Sequence, residues 1–175
     1  MRAAGLFCVA ALALSGCGLR PLYSGGSGGT VQSLLASVQI APIEGQSGWL
    51  VSNALRDRLH GGDTSPRYRL EIQLDDSIAG LGVRRDDSVA RERRTLRARY
   101  QLVDLANGTV VLDATAGSDA GIDVVGSEYA TIAAEKTALE RLSGIVADQI
   151  VARVARYAQS GAAPAVPAAA GSAGQ

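Results

Sequence analysis

Hydrophobic and polar positions change period several times along this chain, and each change marks an element. Val38-Gln39-Ile40-Ala41 alternates and runs into Pro42, which predicts a short first strand ending where a backbone amide is lost. With Ser47 as N-cap, Val51, Leu55 and Leu59 then recur four apart, on one face of a helix. His60, followed by Gly61 and Gly62, closes that helix. An imidazole in a last turn suits the helix dipole, and glycine supplies the left-handed residue after it, so the one histidine has a structural role.

Period two follows. In RYRLEIQLD, Tyr68, Leu70, Ile72 and Leu74 alternate with charged and polar residues, the pattern of a strand with one buried face. A second alternating run covers Val89 to Leu105, and Asn107-Gly108, the favoured two-residue hairpin turn, connects it to a partner strand from Thr109 to Ala116. From about Ser127 the apolar residues Ile132, Leu139, Leu142, Val146, Ile150, Val154 and Tyr157 return at helical spacing to the end of a long amphipathic helix. The order β-α-β-β-β-α predicts an α+β two-layer sandwich: a mainly antiparallel four-stranded sheet with two helices on one face.

The ends differ from this middle. Arg2 precedes an apolar run, AAGLFCVAALAL, of twelve residues from Ala3 to Leu14. A bilayer-spanning helix needs about 20, so residues 1–16 read as a secretory signal peptide. Small residues before Cys17, with Leu14 three places ahead, resemble the lipobox of bacterial lipoproteins. That resemblance makes Cys17 the acylated first residue of the mature chain, anchored to a membrane without spanning it, while Cys8 leaves with the signal. It also puts Gly18 rather than aspartate at the second mature position, which in many such bacteria permits transfer to the outer membrane. Residues 17–30 read as a lipid-anchored flexible tether because Ser24 to Gly29 is all glycine and serine. The α+β domain is expected over 31–159. Residues 160–175 read as a disordered Ala/Pro/Gly tail with too few large side chains to offset its ordering entropy.

Composition then narrows the chemistry. With Cys17 acylated, no thiol is left for a disulfide, a nucleophile or a metal site. Removing Arg2 leaves 16 basic against 17 acidic side chains, so net charge gives no reason to expect a general polyanion binder, nucleic acid included. The distribution is less even: seven of the seventeen basic residues fall between Arg84 and Arg99. If Leu96, Ala98, Tyr100 and Leu102 face the helices, Arg91, Arg93, Arg97 and Arg99 face outward together, about 6.6 to 6.8 Å apart where they alternate. Such a ladder of guanidinium forks suits a ligand carrying several phosphates. The same arginines also fit a plain solvated strand face, paired in part with Asp86, Asp87 and Glu92. Catalysis has little to stand on. The adjacent carboxylates Asp75-Asp76 and Asp86-Asp87 look like loop or hairpin-end charges with no histidine or cysteine beside them. No phosphate-binding glycine loop and no metal-ligand spacing occurs, so neither enzyme activity, cofactor nor metal is expected.

Together, GCGLRPLY at the acylated end, the β-α-β-β-β-α order, and the entry DVVGSEYAT into AAEKTALERLSGIVADQIVARVARY resemble the alphaproteobacterial branch of the lipopolysaccharide-assembly lipoprotein family, LptE. Many relatives carry close to Ser-Tyr-Asn-Val before the final helix, where this chain has Gly121-Ile122-Asp123-Val124 and lacks the aromatic ring. The resemblance implies a non-enzymatic outer-membrane subunit on the periplasmic side. It would plug the β-barrel partner LptD, assist its folding and bind lipopolysaccharide, with Arg91, Arg93, Arg97 and Arg99 offered to the phosphates. The alternative is an independent periplasmic module that binds peptidoglycan or another polyanion with the same arginines.

Replacing Cys17 by alanine should release the protein from the membrane fraction without unfolding it, because only the acyl chains, at about 0.8 kcal/mol per buried CH₂, would hold it there. Retention of the variant in membranes of cells without a barrel partner would refute the lipobox.

Overall fold

The computed structural model of the chain describes residues 29–59, 66–83, 89–124 and 126–160. The expectations for the signal, Cys17, most of the tether, His60, Asp86, Asp87 and the tail lie outside the described residues. In order come α1 (Thr30–Ala36), β1 (Val38–Ile40), α2 (Gly45–Leu59), β2 (Tyr68–Val83), β3 (Val89–Asp104), β4 (Thr109–Asp123) and α3 (Glu128–Gln159). The strands form one sheet in the order β1-β2-β3-β4. β1 lies parallel to β2, with Val38 opposite Tyr68, because α2 carries the chain back across the sheet. The two hairpins β2-β3 and β3-β4 are antiparallel, and Leu74, Ala98 and Ala116 stand in one cross-strand row. The result is the α+β architecture expected, with a largely antiparallel sheet and the helices on one side.

Alternation decides which side that is. Leu96, Ala98, Tyr100 and Leu102 of β3 are at most 2% exposed and belong to the same buried cluster as Leu70 of β2 and Val51 and Leu55 of α2. Leu139, Leu142, Val146, Ile150 and Val154 of α3 join that cluster, and Tyr157 packs against it. β1 stops early for the reason proline suggests: Ala41 still donates to the Leu70 carbonyl at 2.9 Å, and Pro42 has no amide with which to continue.

α2 starts at Gly45, which puts Ser47 inside its first turn rather than at its N-cap, and four further features depart from the sequence reading. The helical layer holds a third helix, α1, whose Leu34 and Leu35 are buried. It begins at Thr30, inside the stretch read as tether, and packs on α3. Val31, Leu34 and Leu35 do carry helical spacing, yet seven residues span too few turns for a period to stand out.

β2 and β4, secondly, run on to Val83 and Asp123 rather than ending at Asp75 and Ala116. Apolar alternation fades there because the inner face turns polar. Asp75 and Asp76 therefore lie mid-strand, not at a hairpin end. Asp76 points inward and takes a two-pronged hydrogen bond from Arg94, at 2.8 and 2.7 Å, while Arg94 Nη1 reaches the Glu135 carbonyl of α3 at 3.1 Å.

The β3-β4 connection, thirdly, has four residues, 105–108, instead of two. Gly108 sits at φ +69° and donates to the Asp104 carbonyl at 2.8 Å, a conformation open to glycine at no steric cost. The buried Asp104 carboxylate accepts from Ala106 N at 2.9 Å and pairs with Arg67 at 3.6 Å. A buried acid needs such partners, and here they fix the loop.

Finally, Ile132 is not on the buried stripe. It is 54% exposed, because the buried positions of α3 begin only at Ala138.

Val146→Asp should abolish cooperative unfolding, since it puts an unpaired charge at a position with no solvent exposure. Ile132→Asp should change stability by no more than about 0.5 kcal/mol, as exposed substitutions do. Urea melts of the two variants check both, and equal destabilisation would mean that the helix is rotated from the orientation described.

Candidate functional site

The outer face of the sheet carries the four arginines the alternation predicts. Arg91, Arg93, Arg97 and Arg99 are all exposed, and the residues between Leu96 and Leu102 of opposite parity are buried. Glu92, considered as a partner for them, has the opposite parity, and its Oε2 is buried without a hydrogen bond.

The carboxylates that do meet the ladder come from β4. Arg91 Nε lies 2.9 Å from Asp123, Arg93 Nε 3.9 Å from Asp119, and Arg99 Nη2 3.1 Å from Asp113. Asp113 also accepts from Gln101 at 2.9 Å. Sequence reasoning missed Asp119 and Asp123 because it ended β4 at Ala116. Counting the alternation onward from Asp113 would have placed both on the same face. Each pair is solvent-exposed, a setting in which an ion pair contributes about 0 to 1 kcal/mol. The face is therefore charge-compensated, and weakly so.

Arg97 is the exception. Register puts it opposite Asp75 on β2 and Gly117 on β4, but no carboxylate approaches it within 4.0 Å among the described residues. Its arm instead lies across Gly117: a Cβ there would come 2.7 Å from Arg97 Cδ and 2.9 Å from Nη1. The bare glycine opens a trench of about 620 Å³ across three strands, lined by Gln73, Asp75, Arg97, Arg99 and Thr115 and ending at Gln149 of α3. One guanidinium without an acidic partner thus sits in a recess, flanked by three that are held by exposed carboxylates.

Arg94, the remaining arginine of this run on β3, faces the helices. Its hydrogen bond to Asp76 raises its pKa above the ordinary arginine value, against the opposing effect of burial. The role is structural, joining β2, β3 and α3. Among the described residues no group of three or more His, Cys, Asp or Glu is placed to hold a metal ion. No described helix is long and apolar enough to cross a membrane.

The family described as LptE, lipopolysaccharide-assembly, matches residues 35–154, which run from the end of α1 to near the end of α3. Among solved structures, one described as a lipoprotein from Caulobacter crescentus superposes with a TM-score of 0.62 at 23% identity, covering 75% of this chain and 98% of that one. Rare lipoprotein B from Shewanella oneidensis gives a TM-score of 0.56 at 11% identity, covering 72% and 97%. Lipoprotein B from Nitrosomonas europaea gives 0.56 at 16% identity, covering 71% and 84%. At these identities the likeness is one of fold. No curated protein sequence matches the chain.

The outer face has a pH signature. Hydrogen bonds from Arg99 first and Gln101 second hold the Asp113 carboxyl below the ordinary aspartate range. A carboxyl depressed on folding contributes stability above its unfolded value, about 3.9, and that contribution is lost as pH falls through the lower folded value. Carboxyl-carbon NMR should therefore find Asp113 titrating below about 3.9, and Arg99→Ala should move it upward. An unmoved midpoint in that variant would dissolve the pair.

Proposed function

The chain belongs to the LptE lipopolysaccharide-assembly family, and on that premise we propose that it is a lipid-anchored, non-enzymatic subunit of the outer-membrane lipopolysaccharide translocon. Family membership carries the coarser statement, that this is a membrane-associated lipoprotein with a role in lipopolysaccharide assembly. The finer reading is that it plugs an LptD-like barrel from the periplasmic side, assists the barrel's folding, and binds the phosphorylated head of lipopolysaccharide on the outer face of its sheet.

The observation that carries the ligand reading is Arg97 in its trench, without an acidic partner among the described residues. A phosphate offers a guanidinium more charge and a better two-oxygen match than an aspartate across a strand, and charge-assisted bonds of this kind are the strong ones. Arg97 would engage first because nothing has to be displaced. Arg91, Arg93 and Arg99 would follow by exchanging Asp123, Asp119 and Asp113 for phosphate oxygens. Each exchange costs at most about 1 kcal/mol of surface pairing, against about 1.5 to 3 kcal/mol for a hydrogen bond to a charged group. The barrel reading is supported by the polarity of the same face, since the interior of a large outer-membrane barrel is polar. Acylation at Cys17 supplies the anchor, and the six residues Ser24 to Gly29 give at most roughly 20 Å of reach. An independent periplasmic polyanion module would use the same four arginines, but it would purify without a barrel.

The experiment is purification of the full chain from its own membranes through a C-terminal tag, alongside an Arg97→Glu/Arg99→Glu variant and an Arg141→Glu control on α3. A large β-barrel should accompany all three. Lipopolysaccharide should fall at least tenfold in the double variant alone, and wild-type binding should weaken with salt. A lone monomer would overturn the barrel role, and unchanged lipopolysaccharide in the double variant would return the arginines to a solvated strand face.

A further inference from the structure

β4 is an edge strand, and its free edge is handled in an informative way. Gly117 donates to Gln149 Oε1 at 3.0 Å, and its carbonyl accepts from Gln149 Nε2 at 3.3 Å. The carboxamide of α3 therefore fills the rung that a peptide group of a fifth strand would fill. Because both groups of Gly117 point off the sheet, strand parity sends the N–H and C=O of Thr115 and Asp113 off the same edge. Among the described residues nothing pairs them. Open edge groups of this kind are a template for an added strand.

These groups open into a second groove, distinct from the trench on the outer face. Its volume is about 690 Å³. β4 contributes Asp113, Ala114 and Thr115, and α3 contributes Ala152, Arg153 and Arg156 along with Asp148 and Gln149. The small side chain of Ala114 lets the ring of Tyr100 line the groove as well. Its charge is unbalanced. Asp113 is held by Arg99 and Gln101, and Asp148 is clamped by Arg58 of α2. Arg153 and Arg156 have no acidic partner among the described residues. Arg156 Nε donates to the backbone carbonyl of Ala152 at 3.2 Å.

We propose that this edge receives an extended acidic segment of a partner protein, which adds to the sheet beside residues 113–115 and places alternate carboxylates on Arg153 and Arg156. The spacing suits that occupant. Alternate residues of a strand project about 6.6 to 6.8 Å apart on one face, and helical residues three apart carry Cβ atoms about 5 to 6 Å apart. Two carboxylates two residues apart meet two arginine forks in register. Backbone pairing supplies the affinity and the two arginines the selectivity, as in other recognition by strand addition. Gln149 ends the site by closing the next rung. A lipid phosphate would use the arginines and leave the Thr115 and Asp113 backbone groups open.

The test is fluorescence anisotropy of labelled, end-blocked octapeptides added to the full-length chain in detergent. The probes are alternating threonine and glutamate, the same sequence with glutamine, and the glutamate peptide N-methylated at alternate residues. The glutamate peptide should bind at least tenfold more tightly than the other two. Arg153→Glu/Arg156→Glu should lose at least tenfold in affinity, with an unchanged melting curve, and Arg141→Glu should lose none. Equal binding of glutamate and glutamine peptides would overturn the proposal, as would full binding of the N-methylated peptide. So would a wild type that binds no peptide while Arg153→Glu/Arg156→Glu loses lipopolysaccharide, which would make the groove a phosphate site.

Discussion

Strand β3 can lie against the helices in one way only. Its inner side presents Leu96, Ala98, Tyr100 and Leu102, all at most 2% exposed, to the buried row of α3 that runs from Leu139 to Val154. Burying one large apolar side chain is worth about 1.5 to 3 kcal/mol, whereas each exposed ion pair on the opposite side is worth at most about 1. Burial therefore sets the register and the ion pairs follow it. A slip of one residue would turn four arginines into the core, so the outer face exists in its present form because the inner face is packed.

That order of cause explains why the outer face is weakly held. Its cations are fixed in place by the strand beneath them, and its aspartates stand on a neighbouring strand at whatever distance register allows, from 2.9 to 3.9 Å. Arg97, opposite Gly117 on β4 and Asp75 on β2, is the cation left over among the described residues. A surface built this way is nearly neutral at rest and still able to exchange partners. The same glycine serves the edge of the sheet, where its backbone takes the amide of Gln149. One position thus separates two features: a trench that offers an arginine to the outer face, and a groove at the edge that offers two more together with open backbone.

The far part of the sheet obeys a different rule. Beyond Leu74 and Ala116 the inner face has few large apolar residues, and Arg94 joins Asp76 to the Glu135 carbonyl in their place. Arg94 and Asp76 keep only 13% and 20% of their side-chain surface, so the cost of burying these charges is met by three hydrogen bonds of good length. Near the opposite end, Asp104 plays a comparable part for the β3-β4 loop. The apolar cluster lies between these two polar fastenings.

Much of this was legible in the chain. Period two in RYRLEIQLD and through Val89 to Leu105 determined two strands and which residues of each would be buried. Four-residue spacing determined α2 and the core row of α3, and parity alone put Arg91, Arg93, Arg97 and Arg99 on one face. What the pattern could not carry were the places where apolar side chains do not mark the structure. The seven residues of α1 are too few for a period, and the outer halves of β2 and β4 hold together by backbone pairing and an ion pair. The exposure of Ile132 depends on where its neighbours end. Only the tertiary structure decided which arginines of the ladder Asp113, Asp119 and Asp123 would meet, that Gly117 would lie under Arg97, and that Gln149 would reach the edge of β4. Each is a meeting of residues far apart in sequence, fixed by strand register and helix placement, and no local period records it.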